Sequence, residues 1–344
     1  MKHFRLSFMV AIICLSIAFY WGFSKGGITA ATTSVMIALI LGVLEVSLSF
    51  DNAVVNASIL KRMDDKWQQY FLTWGILVAV FGMRLLFPIA IVVFATGIDF
   101  VAVAQMALND SATYAHHLTG AHVQIAAFGG MFLLMVFFGF LFDNDREIHW
   151  LGYLERKFAS FGKLESIEII LSLSILLGMQ NFVNPEDRLT SLVAGISGVV
   201  LFVIVDSMSA LFENEEEGAE VSDAIKRGSM MSFIYLEILD ASFSFDGVIG
   251  AFAITQDVVI IMLGLTIGAM FVRSLTVYLV RQGTLDEYVF LEHGAHYAIG
   301  ALAGIMLVSM KHEIPEVITG LVGAMFIGLS ILSSIFYKRK LAKI

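Results

Sequence analysis

The sequence predicts an all-α membrane protein, a polytopic helix bundle that contains an inverted-topology repeat of three helices. Of the 344 residues, 58% are hydrophobic and 15% are charged, whereas a soluble domain carries about 25% charged residues. Apolar runs close to the roughly 20 residues that cross a bilayer recur along the chain, and the mean hydropathy is +0.84. A large soluble helical core would not need so many long uncharged stretches, so we exclude that class and take the lipid bilayer as a partner.

Charge and cysteine content narrow the function further. The net charge is −9, which argues against nucleic acid as a partner because nucleic-acid binding selects basic surfaces. Cys14 is the single cysteine, so neither an internal disulfide nor a cysteine-rich metal cluster is expected. The sequence shows no phosphate-binding glycine loop, nucleophile triad or redox motif, so we do not expect an enzyme.

Ten hydrophobic segments are predicted to cross the membrane. They cover residues 6–24, 32–60, 70–96, 122–142, 165–182, 189–212, 229–255, 257–280, 293–310 and 314–337. The fifth segment is the weakest because it is short and has Glu165 and Glu168 at its start. The first segment follows Lys2 and Arg5, as a signal peptide would, but no small-x-small cleavage site comes after it, so we expect an uncleaved helix.

Basic residues favour one orientation of these segments. They follow every even-numbered segment and therefore lie on one side of the membrane, which the positive-inside rule identifies as the cytoplasm. They are Lys61, Arg62, Lys66, Arg146, Arg156, Lys157, Lys163, Lys226, Arg227, Arg281, Lys338, Arg339 and Lys340. Both termini are then cytoplasmic. The stretch from Asp99 to Ala121 has no Lys or Arg and is predicted to be an outward-facing loop, and the acidic run at 213–223 a solvated cytoplasmic loop.

The chain contains an internal repeat that begins at two acidic motifs. From Leu44 the sequence reads LEVSLSFDNAVVNASI, and from Leu239 it reads LDASFSFDGVIGAFAI. The similarity continues into the next helix, where GILVAVFGMR ends at Arg84 and GLTIGAMFVR ends at Arg273. It continues into a third helix, because a Gly-Ala-His sequence ends at both His122 and His296.

The repeat predicts how the two halves are arranged. Five spans separate the second segment from the seventh, and an odd number means that the copies enter the membrane from opposite sides. Transporters with such repeats bind their substrate at the repeat interface, near the midplane. We therefore divide the chain into an N-terminal helix and loop, a first repeat, connecting helices, a second repeat and a C-terminal helix, at 1–31, 32–142, 143–228, 229–310 and 311–344.

The candidate site consists of six residues inside the apolar runs of the two motifs: Glu45, Asp51, Asn52, Glu237, Asp240 and Asp246. Each ionised carboxylate at a bilayer centre costs roughly 2.5–3.5 kcal/mol. A purely structural role would pair these acids with Arg84 and Arg273, but two arginines cannot neutralise five carboxylates. A bound cation or bound protons must account for the remainder, which leaves a proton relay open.

The available donors indicate the class of ligand. Carboxylates, an amide and the hydroxyls of Ser47, Ser49, Ser242 and Ser244 are hard oxygen ligands, which suit Mg²⁺, Ca²⁺ or Mn²⁺. Zinc or copper would favour histidine and cysteine. The residues predict a bound or transported hard divalent cation and no tightly bound cofactor.

Helical geometry predicts a local break in each motif. At about 100° per residue, two sets of residues share a helix face, namely Glu45 with Ser49 and Asn52, and Glu237 with Asp240 and Ser244. Asp51 and Asp246 point away from those faces, so straight helices cannot direct all five acids into one cavity. We therefore predict breaks near Asn52 and near Gly247, where freed carbonyl groups could also bind a cation.

Weaker signals lie outside the two motifs. Asp206 inside the sixth segment could carry a proton or support the site, or it could be a helix-end acid that reaches the cytoplasm. His122 and His296 start the third repeat helices, where a packing role is favoured over a gating or proton role. Four glycines are predicted to allow close helix packing: Gly195, Gly198, Gly300 and Gly304.

The two motifs resemble the TerC family of integral membrane proteins, within the LysE-like transporter group. The residues that carry the resemblance are Glu45-x5-Asp51-Asn52-Ala53 in one half and Glu237-x2-Asp240-x5-Asp246 with Phe243-Ser244-Phe245 in the other. It covers residues 32–310, including the helices with Arg84 and Arg273. The chain has additional hydrophobic segments between the repeats, so it looks like a divergent, longer branch of the family.

The resemblance implies metal transport, chiefly manganese export from the bacterial cytoplasm. The leading hypothesis is therefore a cytoplasmic-membrane exporter of Mn²⁺ or a similar hard cation, with the ion held between the second and seventh segments. Some members of the family assist membrane-protein assembly or load metal onto exported proteins, so an assembly factor that contacts the protein-export machinery is one alternative. A proton-coupled solute transporter is another. A homo-oligomer is compatible with each hypothesis.

Overall fold

The computed structural model describes residues 4–61, 63–144, 146–164, 166–213, 221–312 and 314–341. Within these ranges the chain is helical and has no strand, which confirms the all-α prediction. The helices are α1 (Arg5–Leu48), α2 (Phe50–Leu60), α3 (Asp65–Leu77), a π-helical segment (Val78–Leu86), α4 (Phe87–Thr96), α5 (Phe100–Asn109), α6 (Ser111–Gly120), α7 (His122–Leu141), α8 (Tyr153–Phe161), α9 (Ile167–Met179), α10 (Arg188–Glu213), α11 (Val221–Ile254), α12 (Val258–Arg281), α13 (Thr284–Glu287), α14 (Leu291–Ser309) and α15 (Glu316–Leu341).

Several helices have the length and composition of membrane spans. Among the described residues, five helices are long and apolar enough to cross a membrane, at Arg5–Leu48, His122–Leu141, Arg188–Ser207, Val258–Arg281 and Ile318–Lys340. Each of the ten predicted segments overlaps helical residues. The inverted repeat stays a prediction, and so does the division of the chain that follows from it.

Two compact units make up the chain. Unit 1 comprises Met1–Ala121 and Ser232–Gln282, and unit 2 comprises His122–Met231 and Gly283–Ile344. Both acidic motifs belong to unit 1. The third helix of each repeat copy, α7 and α14, belongs to unit 2, where the two helices pack against each other.

In unit 1, α1 is a hairpin of two helices that lie along α12. The backbone leaves the helical conformation at Gly26 and Gly27, and Gly27 adopts a positive φ of 68° that glycine tolerates best. A Cβ atom on Gly22 would lie 2.5 Å from Ser34 Oγ, so the two arms are in close contact below the turn. These arms are the first and second predicted segments.

The hairpin arms run in opposite directions along α12. In the first arm, Ser7 donates a hydrogen bond to the Met270 carbonyl oxygen at 2.7 Å, and Trp21 donates to Asp257 at the start of α12 at 3.0 Å. In the second arm, Leu41 packs on Gly264, and a Cβ atom on Gly264 would lie 2.6 Å from Leu41 Cβ. This glycine therefore allows the close approach of the second arm, which carries Glu45, to α12.

The third predicted segment is helical but irregular in the middle. Helix α3 passes into a nine-residue π-helical stretch before α4, which carries a proline in its first turn and ends at Gly97 with a φ of 71°. π-Helical insertions shift the register of the helix that follows, and they occur often at functional sites. Arg84 lies in this stretch.

The predicted outward loop between Asp99 and Ala121 is instead two short helices, α5 and α6. Each begins at an aspartate that accepts a hydrogen bond from a backbone N–H group, as helix-capping residues do. Asp99 accepts from Val101 at 3.0 Å, and Asp110 accepts from Thr113 at 3.2 Å. The bonds from Thr113 lower the pKa of Asp110. The outward-facing position of this stretch stays a prediction. Its helical structure was not predicted, because the absence of positive charge indicates a side of the membrane and carries no information on helix content.

In unit 2, α7 packs against α10 and α14, and α15 packs against α14. Glycines permit these approaches. A Cβ atom on Gly198 would clash with the Phe128 carbonyl group of α7, one on Gly195 would lie 2.7 Å from Leu176 of α9, and one on Gly300 would lie 2.7 Å from Phe137. Three of the four predicted packing glycines are thus confirmed. The prediction is wrong for Gly304, where no atom of the described residues lies within 4 Å of the added Cβ.

Replacing Gly264 by alanine should destabilise the protein. Its Cβ would meet Leu41 Cβ at 2.6 Å and the Ala38 carbonyl oxygen at 3.0 Å, and overpacking of this kind costs about 1–3 kcal/mol. The measurement is the midpoint of chemical unfolding in detergent micelles, followed by tryptophan fluorescence. Gly304→Ala is the matched control, since it adds the same methyl group in a helix without a contact, and equal midpoints for the two variants would contradict the packing.

Candidate functional site

The first acidic motif lies where the second arm of α1 ends. Glu45 occupies the last turn of α1, and the backbone departs from the helical conformation at Ser49, with φ −100° and ψ 19°, before α2 begins at Phe50. The predicted break is therefore present, three residues before Asn52. Its counterpart near Gly247 is wrong, because α11 continues through Gly247 to Ile254.

Glu45 forms a buried ion pair. The side chain is 2% exposed, and its Oε1 atom lies 2.5 Å from Nη2 of Arg84, which is 6% exposed. The Ser49 hydroxyl donates a longer hydrogen bond of 3.4 Å to the same oxygen. Because charge-assisted bonds strengthen away from water, this pair fixes the end of α1 to the π-helical stretch.

Arg273 is the second buried cation of the site. Its Nη2 atom lies 3.4 Å from Glu237 Oε1 and 4.0 Å from Asp240 Oδ2, so it faces two acids on one side of α11. Its Nη1 atom donates to the backbone carbonyl of Phe71, and its guanidinium group lies 4.1 Å from the centroid of the Phe71 ring. Glu237 Oε2 is buried and accepts no hydrogen bond from the described residues.

Residues of both ion-pair clusters, namely Glu45, Arg84, Asp240 and Arg273, line one small cavity in unit 1. Its volume is about 10 Å³, which is about the space that one water molecule requires. The lining residues come from α1, α2, α3, the π-helical stretch, α11 and α12, and they are Glu45, Ser49, Asn56, Phe71, Arg84, Asp240, Ala269, Val272, Arg273 and Thr276. Apart from the two arginines, its polar side chains present oxygen acceptors.

Glycines bring the backbone against the charged groups. A Cβ atom on Gly247 of α11 would lie 2.7 Å from Glu45 Oε2, and one on Gly75 of α3 would lie 2.5 Å from Glu237 Oε1 and closer still to Arg273. A side chain at either position would displace a carboxylate. Gly268 of α12 likewise makes room for the Glu45 side chain.

The charges of the described site do not balance. Counted as formal charges, the acids Glu45, Glu237 and Asp240 exceed the arginines Arg84 and Arg273 by one. Within the described part of the chain, no group of three or more His, Cys, Asp or Glu side chains is arranged to hold a metal ion. Arg84 and Arg273 are the counter-charges that the described residues offer to these acids.

The remaining predicted ligands are placed as follows. Asn52 is buried on α2 but does not line the cavity. Asp51 lies on α2, and Ser244 and Asp246 lie on α11, but their side chains fall outside the described residues, as do residues 214–220 of the acidic run.

The other predicted supporting residues, Asp206, His122 and His296, belong to unit 2. Asp206 has an exposed position on α10. His296 stacks on Phe140 with ring centroids 3.9 Å apart and donates from Nδ1 to the Glu292 carbonyl oxygen at 2.8 Å, which is a packing role. His122 is the first residue of α7.

Two polar lining residues, Asn56 and Thr276, were not among the predicted site residues. Asn56 is 3% exposed, and its Oδ1 atom accepts no hydrogen bond from any described group, which leaves a buried oxygen free to bind a ligand. Its spacing of four residues from Asn52 places it on the same side of α2, and this spacing was the available signal. Thr276 is fully buried and lies three residues after Arg273.

Comparison with known proteins identifies one family. The family described as "Protein of unknown function (DUF475)" matches residues 50–341. No curated protein and no solved structure matches the chain.

Removing one partner of the Glu45–Arg84 pair should destabilise the protein more than removing both. Arg84→Gln leaves a buried carboxylate without its counter-charge, which costs about 3–5 kcal/mol, whereas Glu45→Gln/Arg84→Gln leaves two neutral amides. The measurement is a double-mutant cycle on the free energy of unfolding in detergent.

Lys25→Gln provides the control for that cycle. It breaks the ion pair with Asp257, in which the Lys25 side chain is 54% exposed, and exposed pairs contribute at most about 1 kcal/mol. Additive effects of Glu45→Gln and Arg84→Gln would contradict the direct pairing of these residues.

Proposed function

We propose that this chain, which belongs to the DUF475 family, transports Mn²⁺ or a similar hard divalent cation across the bacterial cytoplasmic membrane. The ion would bind in the small cavity of unit 1 between the two acidic motifs. The observation that carries the proposal is that two buried carboxylate–arginine clusters meet at one cavity, which Glu45, Asp240, Arg84 and Arg273 line. Glu237 is a third acid of these clusters and pairs with Arg273.

Ligand chemistry supports a hard cation. Glu45, Ser49, Asn56, Asp240 and Thr276 offer carboxylate, hydroxyl and amide oxygens to the cavity, and oxygen donors suit Mn²⁺, Mg²⁺ and Ca²⁺. The free Oδ1 atom of Asn56 and the free Oε2 atom of Glu237 are unsatisfied acceptors. Buried hydrogen-bond acceptors rarely lack a partner. A bound cation would be the partner of each acceptor that it contacts.

The arginines provide a counter-charge that a cation can replace. Arg84 pairs with Glu45, and Arg273 pairs with Glu237. When a dication binds the carboxylates, Arg273 can turn away from Glu237 and keep its contacts with the Phe71 ring and carbonyl group. Binding then changes the formal charge of the three acids and two arginines from −1 to +1, so the excess charge is one unit with or without the ion.

The repeat supports alternating access as the mechanism. Each copy contributes one glutamate and one arginine of the site, and transporters with inverted repeats move one copy relative to the other around a central site. Export of a dication against an inside-negative potential requires about 2.3 kcal/mol per charge at 100 mV. Protons that enter the vacated carboxylates are the proposed energy source.

Two features of the sequence support the proposed orientation and direction of transport. The positive-inside distribution supports cytoplasmic termini and a multi-pass arrangement. The resemblance to TerC proteins supports export, and manganese among the hard cations. A metal-loading assembly factor would use the same site to bind metal without net flux.

Mn²⁺ flux should depend on the acids of the cavity. The full chain in proteoliposomes should move Mn²⁺ in response to a proton gradient, and Glu45→Gln and Asp240→Asn should each reduce the rate at least tenfold, because each removes a charged ligand. An entrapped fluorescent Mn²⁺ indicator measures the rate.

Asp257→Asn is the matched control for those variants. It also removes one carboxylate from unit 1, but at the N-cap of α12, where asparagine caps as well as aspartate, so flux should persist. Stoichiometric Mn²⁺ binding without flux at any pH would reject transport and favour the metal-loading factor. Absence of both binding and flux would reject the cation site.

A further inference from the structure

Unit 1 contains a second and much larger cavity that the cation site does not use. Its volume is about 330 Å³, and its lining residues are Leu60, Asp65, Gln68, Gln69, Val277, Val280 and Arg281. It lies at the ends of α2 and α12 and the start of α3. Lys61, Lys66 and Arg281 lie at these helix ends, so this is the end that the charge distribution assigns to the cytoplasm.

The same three helices line the large and the small cavity. On α2, Asn56 lines the small cavity and Leu60 lines the large one. The corresponding residues are Thr276 and Val280 on α12, and Phe71 and Gln68 on α3. The two residues on each helix are three or four positions apart, which is about one helical turn or roughly 5–6 Å. The two cavities are therefore consecutive along one path between these helices.

An apolar layer and an arginine separate them. Leu60, Phe71 and Leu236 are almost completely buried and pack together with Val280. On the small-cavity side, Arg273 lies over the Phe71 ring and donates to the Phe71 carbonyl group. Water and ions do not cross a dry apolar layer readily, so this arrangement closes the path.

We propose that the large cavity is the cytoplasmic vestibule of the cation site and that Phe71 with Arg273 forms its gate. This inference rests on the proposed transport function. Six waters occupy about 180 Å³ at about 30 Å³ each, so a cavity of about 330 Å³ accommodates a fully hydrated dication. The cavity of about 10 Å³ beyond the gate does not, so the ion loses most of its water at the gate.

The vestibule has groups suited to a hydrated ion. Asp65, Gln68 and Gln69 present oxygens that accept hydrogen bonds from water bound to the metal, and Mg²⁺-like ions retain such waters. At the gate, movement of the Arg273 side chain would both release Glu237 for the ion and uncover Phe71. One side chain therefore couples opening of the path to exposure of a ligand.

Cysteine labelling tests the path. Gln68→Cys in a Cys14→Ser background places a thiol in the vestibule, and a charged, membrane-impermeant methanethiosulfonate reagent should reduce Mn²⁺ flux at least tenfold in inside-out membrane vesicles but not in right-side-out vesicles. Lys66→Cys on the same helix, exposed and outside the cavity lining, should be labelled with flux retained. Gln69→Cys replaces Gln68→Cys if the latter does not fold.

The outcomes separate the vestibule from the transport function. Flux that survives complete labelling of the vestibule cysteine, or that is blocked only from the opposite side, overturns the vestibule while transport stands. Absence of flux in the unlabelled wild type overturns transport, and the vestibule with it.

A second labelling experiment tests the gate. Thr276→Cys, also with Cys14→Ser, places a thiol beyond the apolar layer, where labelling from the cytoplasmic side should be slow without metal. Adding Phe71→Ala should raise the labelling rate at least tenfold, whereas adding Phe4→Ala, which removes an aromatic ring that stacks on Phe271 in unit 1, should not. Equal rates of Thr276→Cys labelling with and without the Phe71→Ala substitution would contradict the gate.

Discussion

Carboxylates in an apolar helix bundle require a counter-charge, and the arrangement of unit 1 meets this requirement. Glu45 at the end of α1 contacts Arg84, and Glu237 on α11 contacts Arg273 of α12. These pairs connect residues that are 39 and 36 positions apart in the sequence, and the four residues are only 2–7% exposed. An unpaired charge at such a position costs several kcal/mol, so the helices can only assemble with acids and arginines in register.

Close helix packing makes this register possible. Glycines on α3, α11 and α12 leave space for the charged side chains, and Gly264 and Gly268 let the second arm of α1 lie directly against α12. The backbone departs from the helical conformation at Ser49, between α1 and α2. As a result, oxygen donors from several helices surround a space for a single small ion, and the same helices continue to the larger cavity at the basic end of the unit.

Much of this arrangement could be predicted from the sequence. The ten apolar segments coincide with helices because long uncharged runs have few alternatives to helical structure in an apolar environment. The acids and arginines were identified because charged residues inside such runs are costly and rarely lack a role. The break before Asn52 followed from helical geometry, within three residues.

Other features depend on tertiary contacts that a single sequence does not encode. The partner of each arginine could not be assigned, because Arg273 could have faced Glu237, Asp240 or Asp246 on the same helix. Continuity of α11 through Gly247 was missed because that glycine serves close approach to Glu45 rather than a bend. The sequence did not predict the role of Asn56 or the π-helical register around Arg84, because local polarity alone does not show which side chains converge on a cavity. It also did not predict the helices α5 and α6.

In the proposed function, oxygen ligands of unit 1 hold one hard divalent cation, and Arg273 turns away from Glu237 when the ion binds. Electron paramagnetic resonance of Mn²⁺ added to the purified full chain in detergent tests it most directly. We expect one bound ion per chain and no coupling to a histidine nitrogen in the spin-echo modulation. The signal of the bound ion should be lost in Glu45→Gln. A bound ion with histidine nitrogen coupling, or binding that is unchanged in Glu45→Gln, would contradict it.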